Sequence, residues 1–177
     1  SAAFGSGWDI VLDAGTEDGA INMFVGGSRT ELAKERGPVD LTSDHEEGVV
    51  GLEVSFGPLQ IGGQVSVERL RTQSANATNY YGNSSWGVAF NVNDNLSISY
   101  SEARHIQSKT PKAGGTGLDG HNSHPKSRMT GKSMQAAYTI GGVGLKYLST
   151  KYDNTAYGFD SAETPLESRI FAVSLAF

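Results

Sequence analysis

Apolar and polar residues alternate along this chain in short segments, most clearly near its end. Phe171, Val173, Leu175 and Phe177 occupy every second position there, with smaller or polar residues between most of them. A two-residue period with one apolar face is typical of a β-strand. The same pattern predicts nine strands, at residues 8–14, 20–27, 48–56, 60–69, 85–92, 96–104, 128–140, 143–149 and 168–177.

The connections between these strands alternate between short and long. The short ones contain turn residues and are residues 17–19, 57–58, 93–95 and 141–142. The long ones are polar and are residues 29–47, 72–84, 106–126 and 150–167. Transmembrane barrels have short periplasmic turns and long extracellular loops. The pattern therefore predicts an all-β fold, a transmembrane antiparallel β-barrel with a periplasmic carboxyl terminus.

Residue parity within the strands separates two faces, one expected to contact lipid and one expected to contact water. We expect aromatic residues of the apolar face to form girdles at the membrane interfaces. These are Trp8, Phe56, Trp86, Phe90, Tyr100, Tyr138, Tyr147, Phe171 and Phe177. The opposite parity predicts pore-lining residues, namely Asp9, Asp13, Glu53, Gln64, Glu68, Asn91, Gln135 and Lys146.

Composition narrows the kind of membrane protein. Only 37% of residues are hydrophobic, the mean hydropathy is -0.33, and no apolar run approaches the roughly 18 residues of a spanning helix. A net charge of -5 with scattered signs argues against nucleic acid as a partner. The 23 glycines and absent cysteine fit an all-β protein.

Nine strands are an odd number, whereas bacterial single-chain barrels have an even number. We interpret the chain as the carboxyl-terminal part of a larger barrel; sixteen strands would leave seven elsewhere. A misread first strand would instead leave a closed barrel of eight strands. Small residues on the polar face, such as Ser97, Ser99 and Ser101, favour the wider lumen.

Three segments resemble the general porins of the alphaproteobacterial outer membrane. They are residues 86–102, residues 133–147 and the terminal residues 171–177. The resemblance implies a sixteen-stranded, water-filled channel for passive diffusion of small hydrophilic solutes and ions in the outer membrane of a Gram-negative bacterium. It implies a homotrimer that contacts membrane lipid and lipopolysaccharide. It also implies that the outer-membrane assembly machinery recognises the carboxyl-terminal strand, which ends in Phe177. The segments that such porins use to narrow the pore are not recognisable here.

Two alternatives remain open from the sequence. A soluble β-sandwich would bury the apolar face in a shared core. A small eight-stranded barrel would act as an adhesin, a structural protein or a lipid-modifying enzyme through its extracellular loops. No Gly-x-Ser-x-Gly motif supports an enzyme, and we expect neither catalysis nor a cofactor.

Charged residues suggest a weak ion preference and no recognisable metal site. Four predicted pore-lining acids face Lys146 alone, which suggests a mild preference for cations unless other strands supply opposing bases. The acidic segment 29–47 could bind divalent cations that bridge lipopolysaccharide, or form a solvated loop. His105, His121 and His124 lack the spacing of recognised metal sites. Residues 114–117 resemble a phosphate-binding loop but lack the following Lys-Ser/Thr pair.

Overall fold

A computed structural model describes residues 4–32, 44–70, 78–109, 126–157 and 165–175. All regular secondary structure in these residues is β. The nine strands are β1 (Phe4–Gly15), β2 (Ile21–Leu32), β3 (His45–Phe56), β4 (Leu59–Arg69), β5 (Thr78–Asn93), β6 (Leu96–Lys109), β7 (Lys126–Ile140), β8 (Val143–Asp153) and β9 (Leu166–Leu175). The predicted all-β, antiparallel fold is confirmed.

The strands form one sheet in chain order, and each pairs antiparallel with its neighbours in the sequence. Within the described residues, β1 and β9 each pair on one side only, so the sheet is not closed. A single sheet also means that this part of the chain does not form two packed sheets, contrary to the β-sandwich alternative. The first strand is genuine, because β1 pairs with β2 from Phe4 to Gly15. The closed barrel of eight strands depended on the residues of β1 not forming a strand.

The strand ends next to the short turns match the predicted positions to within one residue. At the opposite ends several strands extend further than predicted: β5 begins at Thr78, β6 ends at Lys109 and β8 ends at Asp153. Hydrogen-bonded pairing continues there although the side chains no longer alternate regularly between apolar and polar. Alternation of hydrophobicity marks a strand only where one face is apolar, so the sequence pattern ended before the strands did.

The short turns use residues suited to their backbone geometry. Gly141 and Gly142 have φ of 53° and 80°, as the two central residues of a type I′ hairpin turn require. Between β5 and β6, the Asn93 Oδ1 accepts hydrogen bonds from the backbone N–H groups of Asn95 and Leu96, both at 2.9 Å. Between β1 and β2, a side-chain hydrogen bond with Thr16 lowers the pKa of Asp18. Such turns fix the pairing register of the strands that they join.

The Gly141-Gly142 turn gives a stability prediction. Gly142→Val should destabilise the fold by about 1–2 kcal/mol, because a branched side chain disfavours positive φ. Gly142→Asn is the matched control and should lose less, because asparagine tolerates this conformation. Denaturant titration of the protein folded in lipid vesicles measures both. Equal losses in the two variants would contradict the argument.

Candidate functional site

The pairing register places each predicted pore-lining residue on one face of the sheet, which we call the polar face. Directly opposite residues in an antiparallel pair point to the same side. Rows of paired residues connect these positions from strand to strand; one row, for example, joins Asp9, Ser28, Glu47 and Glu68. The remaining six predicted positions, which are Asp13, Glu53, Gln64, Asn91, Gln135 and Lys146, have the same parity.

The other face, which we call the apolar face, has large hydrophobic side chains on every strand. None of the described hydrophobic side chains is buried, and Trp8, Phe56 and Phe171 are 58%, 80% and 66% exposed. Contiguous apolar surface larger than a few hundred Å² is rare on soluble monomers and marks a surface that meets a partner or a membrane. The apolar face therefore requires an apolar partner.

The apolar band runs obliquely across the sheet. On each strand, the apolar band ends at the first charged residue of the apolar face, counted from the side of the sheet where the short turns lie. That residue is Arg29 on β2 and Arg169 on β9. One row of paired residues joins Ile21 of β2 to Arg169 of β9 across the intervening strands. Ile21 and Arg29 are eight residues apart on β2. The edge of the band has therefore shifted by eight residues over the seven strand-to-strand steps from β2 to β9. With a rise of about 3.3 Å per residue and about 4.8 Å between strands, this shift corresponds to an angle of roughly 40°.

That angle is within the strand tilt of closed barrels, roughly 35–45°. On β4 the band runs from Leu59 to Val67. These residues span about 26 Å along the strand and about 20 Å along the axis of a barrel tilted in this way. The height is comparable to the roughly 25 Å apolar band of outer-membrane barrels.

The predicted girdle residues within the described part of the chain lie on the apolar face, near its two edges. Phe56, Phe90 and Tyr138 lie within three residues of the short turns. Trp8, Trp86, Tyr100, Tyr147 and Phe171 lie near the charged edge. Trp86 is opposite Glu102, and the Tyr100 hydroxyl donates to the Glu102 Oε2 at 3.4 Å. Phe177 lies outside the described residues.

The polar face carries small side chains along its middle. One row runs from Glu53 across the sheet through Gly62, Gly87, Ser101, Ser133, Thr150 and Ser168. The Glu53 carboxylate accepts a hydrogen bond of 2.9 Å from the Gln60 side chain. These short side chains leave room for solvent above the sheet.

Parity reasoning missed a cluster of three groups on the polar face. The Nε2 atom of His45 lies 3.0 Å from Glu68 Oε1 and 3.3 Å from Glu47 Oε1. The cluster borders a groove of ≈ 370 Å³ that is also lined by Asp9, Ser28 and Asn83. The His45-x-Glu47 spacing was a usable signal, because it puts both side chains on one face of a strand. Only the register between β3 and β4 could add Glu68.

The remaining candidates from the sequence do not form a common site in the described residues. His105 Nδ1 hydrogen-bonds to the Asn83 side-chain oxygen at 2.7 Å. Arg29 and Asp44, both within the acidic segment 29–47, form an ion pair. Residues 33–43, residues 114–117, His121 and His124 lie outside the described residues.

Comparisons of the chain with protein-family models, curated proteins and solved structures found no match. In the described residues there is no helix of the length and apolarity needed to cross a membrane. The sheet and its two faces are therefore the features that bear on function.

Proposed function

We propose that this chain forms part of the wall of an outer-membrane β-barrel channel, a porin that passes small hydrophilic solutes and ions by diffusion. The observation that carries the proposal is the unpartnered apolar face, which extends over the nine strands opposite a polar face. Lipid is the partner that would cover such a face continuously. A barrel is also the way a sheet spans a bilayer without unpaired backbone groups.

A closed barrel that is antiparallel throughout needs more strands than the nine described here. All neighbouring pairs are antiparallel, so β1 and β9 run in the same direction and would form a parallel pair if they met. Further strands between these two edges would keep the barrel antiparallel. A total of sixteen strands agrees with this requirement and with the porin resemblance of the sequence.

A wide barrel fits the side chains of the polar face better than a narrow one. Eight-stranded barrels have an interior that side chains fill. The row of small residues between Gly62 and Ser168 cannot fill an interior of that kind. The adhesin and enzyme alternatives depend on the narrow barrel, and the nine-strand sheet does not favour it.

Lipopolysaccharide is the lipid partner that the charged edge of the apolar face fits. On β6 to β9 this edge carries Arg104, Arg128, Lys132, Lys151 and Arg169, together with Glu102, Asp153 and Glu167. Lys132 is directly opposite Lys151. Glu102 and Glu167 flank the two lysines in the same row, and Lys151 Nζ lies 4.0 Å from Glu167 Oε1. A lipid phosphate just beyond the apolar band would add a further counter-charge to the two adjacent like charges.

This contact predicts the effect of reversing two charges. The double variant Lys132→Glu and Lys151→Glu should carry about tenfold less lipopolysaccharide, the effect of losing one charge-assisted hydrogen bond of about 1.5 kcal/mol. Lys146→Glu, on the polar face, is the matched control and should keep its lipid. Mass spectrometry of lipid A per mole of purified protein gives the result. Equal lipid content in the double variant and the native protein would refute the contact.

Two parts of the porin proposal rest on the sequence resemblance alone. They are the homotrimer and the reading of the carboxyl-terminal strand by the assembly machinery. The experiment for the channel itself is electrical recording, in a planar lipid bilayer, of the complete barrel that contains this chain. A porin should give discrete conductance steps in salt solution. Folded, membrane-inserted protein that gives no steps would exclude an open channel.

A further inference from the structure

The cluster of His45, Glu47 and Glu68 has an arrangement that calls for a cation. Glu47 and Glu68 are directly opposite each other on β3 and β4. Two carboxylates in such a position repel each other. His45 is two residues from Glu47 on the same face, and its Nε2 atom is near one oxygen of each carboxylate. The three groups converge on a single small volume.

We propose that this cluster is a binding site for a first-row divalent metal ion, with Zn²⁺ as the best fit. The candidate ligands are one ring nitrogen of His45 and one carboxylate oxygen each from Glu47 and Glu68, and these three atoms lie within 4.8 Å of one another. Zinc binds imidazole nitrogen and carboxylate oxygen at about 2.0–2.2 Å. Ligands of one ion are therefore about 3–3.5 Å apart, and the 3.0 and 3.3 Å separations from Nε2 agree with this spacing.

The chemistry of the three groups selects among metals. Imidazole nitrogen is a good ligand for Zn²⁺ and for other late first-row transition metals, whereas Ca²⁺ and Mg²⁺ prefer oxygen ligands only. One neutral imidazole and two carboxylates balance the charge of the ion and leave positions for water. Asp9 lies in the same row as the two glutamates, with Ser28 between them, and adds negative potential to the groove.

The alternative occupant is a proton. A doubly protonated imidazole would offset one of the two carboxylate charges by ion pairing. The two cases differ in one testable respect. A metal ion uses the lone pair of Nε2 and both carboxylates together, so zinc affinity falls when any of the three groups is replaced, whereas ion pairing with an imidazolium creates no such dependence. The inference does not rest on the channel, since the cluster needs only the β3–β4 register.

Zinc binding is tested by isothermal titration of the full chain folded in detergent micelles. The native protein should bind one Zn²⁺ per chain, and excess Ca²⁺ should not displace it. Glu68→Gln and Glu47→Gln should each weaken the affinity by about tenfold or more, because each removes a charged ligand. Glu53→Gln, on the same face but hydrogen-bonded to Gln60, is the matched control and should leave the affinity unchanged.

Two results would overturn the site. One is zinc affinity that is equal in the native protein and in Glu68→Gln. The other is displacement of zinc by Ca²⁺ at similar concentration, which would indicate general attraction to acidic groups. Circular dichroism of each variant shows that the β fold is retained. The visible spectrum of Co²⁺ in place of Zn²⁺ gives a second readout, which His45→Gln should change in the native fold.

Discussion

Leu52→Arg is expected to destabilise the membrane-inserted protein by about 2–4 kcal/mol, the cost of arginine on the lipid face near the bilayer midplane. Leu52 lies in the middle of the apolar band on β3, between Val50 and Val54, and is 50% exposed in the isolated sheet. No acid on this face is close along its strand, so the guanidinium would face hydrocarbon. A urea titration of folding into lipid vesicles measures the loss.

The control for this variant is Gln64→Arg. Gln64 belongs to β4 beside the same part of β3 but lies on the polar face, opposite Gly51. Arginine there would meet water and should change the stability little. If both variants lose the same free energy, or neither loses any, the two faces do not differ in environment and the lipid assignment fails.

Reversing three charges on the polar face is expected to shift the selectivity of the proposed channel towards anions. The triple variant Asp9→Lys, Asp13→Lys and Glu53→Lys replaces three carboxylates by three ammonium groups. Wall charges control which ions enter a water-filled pore, so the cation-to-anion permeability ratio should fall below that of the native protein. The reversal potential of a planar bilayer under a salt gradient gives this ratio.

A charge reversal on the other face is the matched control for selectivity. Glu102→Lys changes the apolar face at its charged edge, opposite Trp86. It should leave the permeability ratio unchanged, because that side chain is separated from the lumen by the sheet. A shift as large as that of the triple variant would show that the assigned polar face does not line the ion path.

The strand ends that border the short turns could be predicted because two signals coincide there. An apolar alternation ends, and a turn residue such as Gly57 or Asn93 follows at once. The opposite ends could not be predicted, since residues 78–84 of β5 are polar or aromatic on both faces. Only backbone hydrogen bonds continue the sheet there. These bonds do not require a particular pattern of side chains, so the sequence of one strand does not reveal them.

The division into two faces could also be predicted, but not the details of the polar one. Phe24 and Val11 lie on the polar face although they are apolar. Phe24 is opposite Gly51, and its ring occupies the space that a side chain at Gly51 would take. Aromatic cover of a cross-strand glycine is a known way to stabilise a sheet. Such a pair depends on register, as the His45, Glu47 and Glu68 cluster does, and parity within one strand does not reveal it.

The most direct test of the membrane-spanning wall uses two adjacent positions on β3. The chain contains no cysteine, so Leu52→Cys and Glu53→Cys each provide one site for an environment-sensitive fluorophore. In lipid vesicles, the label at position 52 should be quenched by spin-labelled lipid, and the label at position 53 by aqueous iodide. Quenching of both labels by iodide, with none from the lipid, would contradict the proposal that one face of this sheet contacts the bilayer.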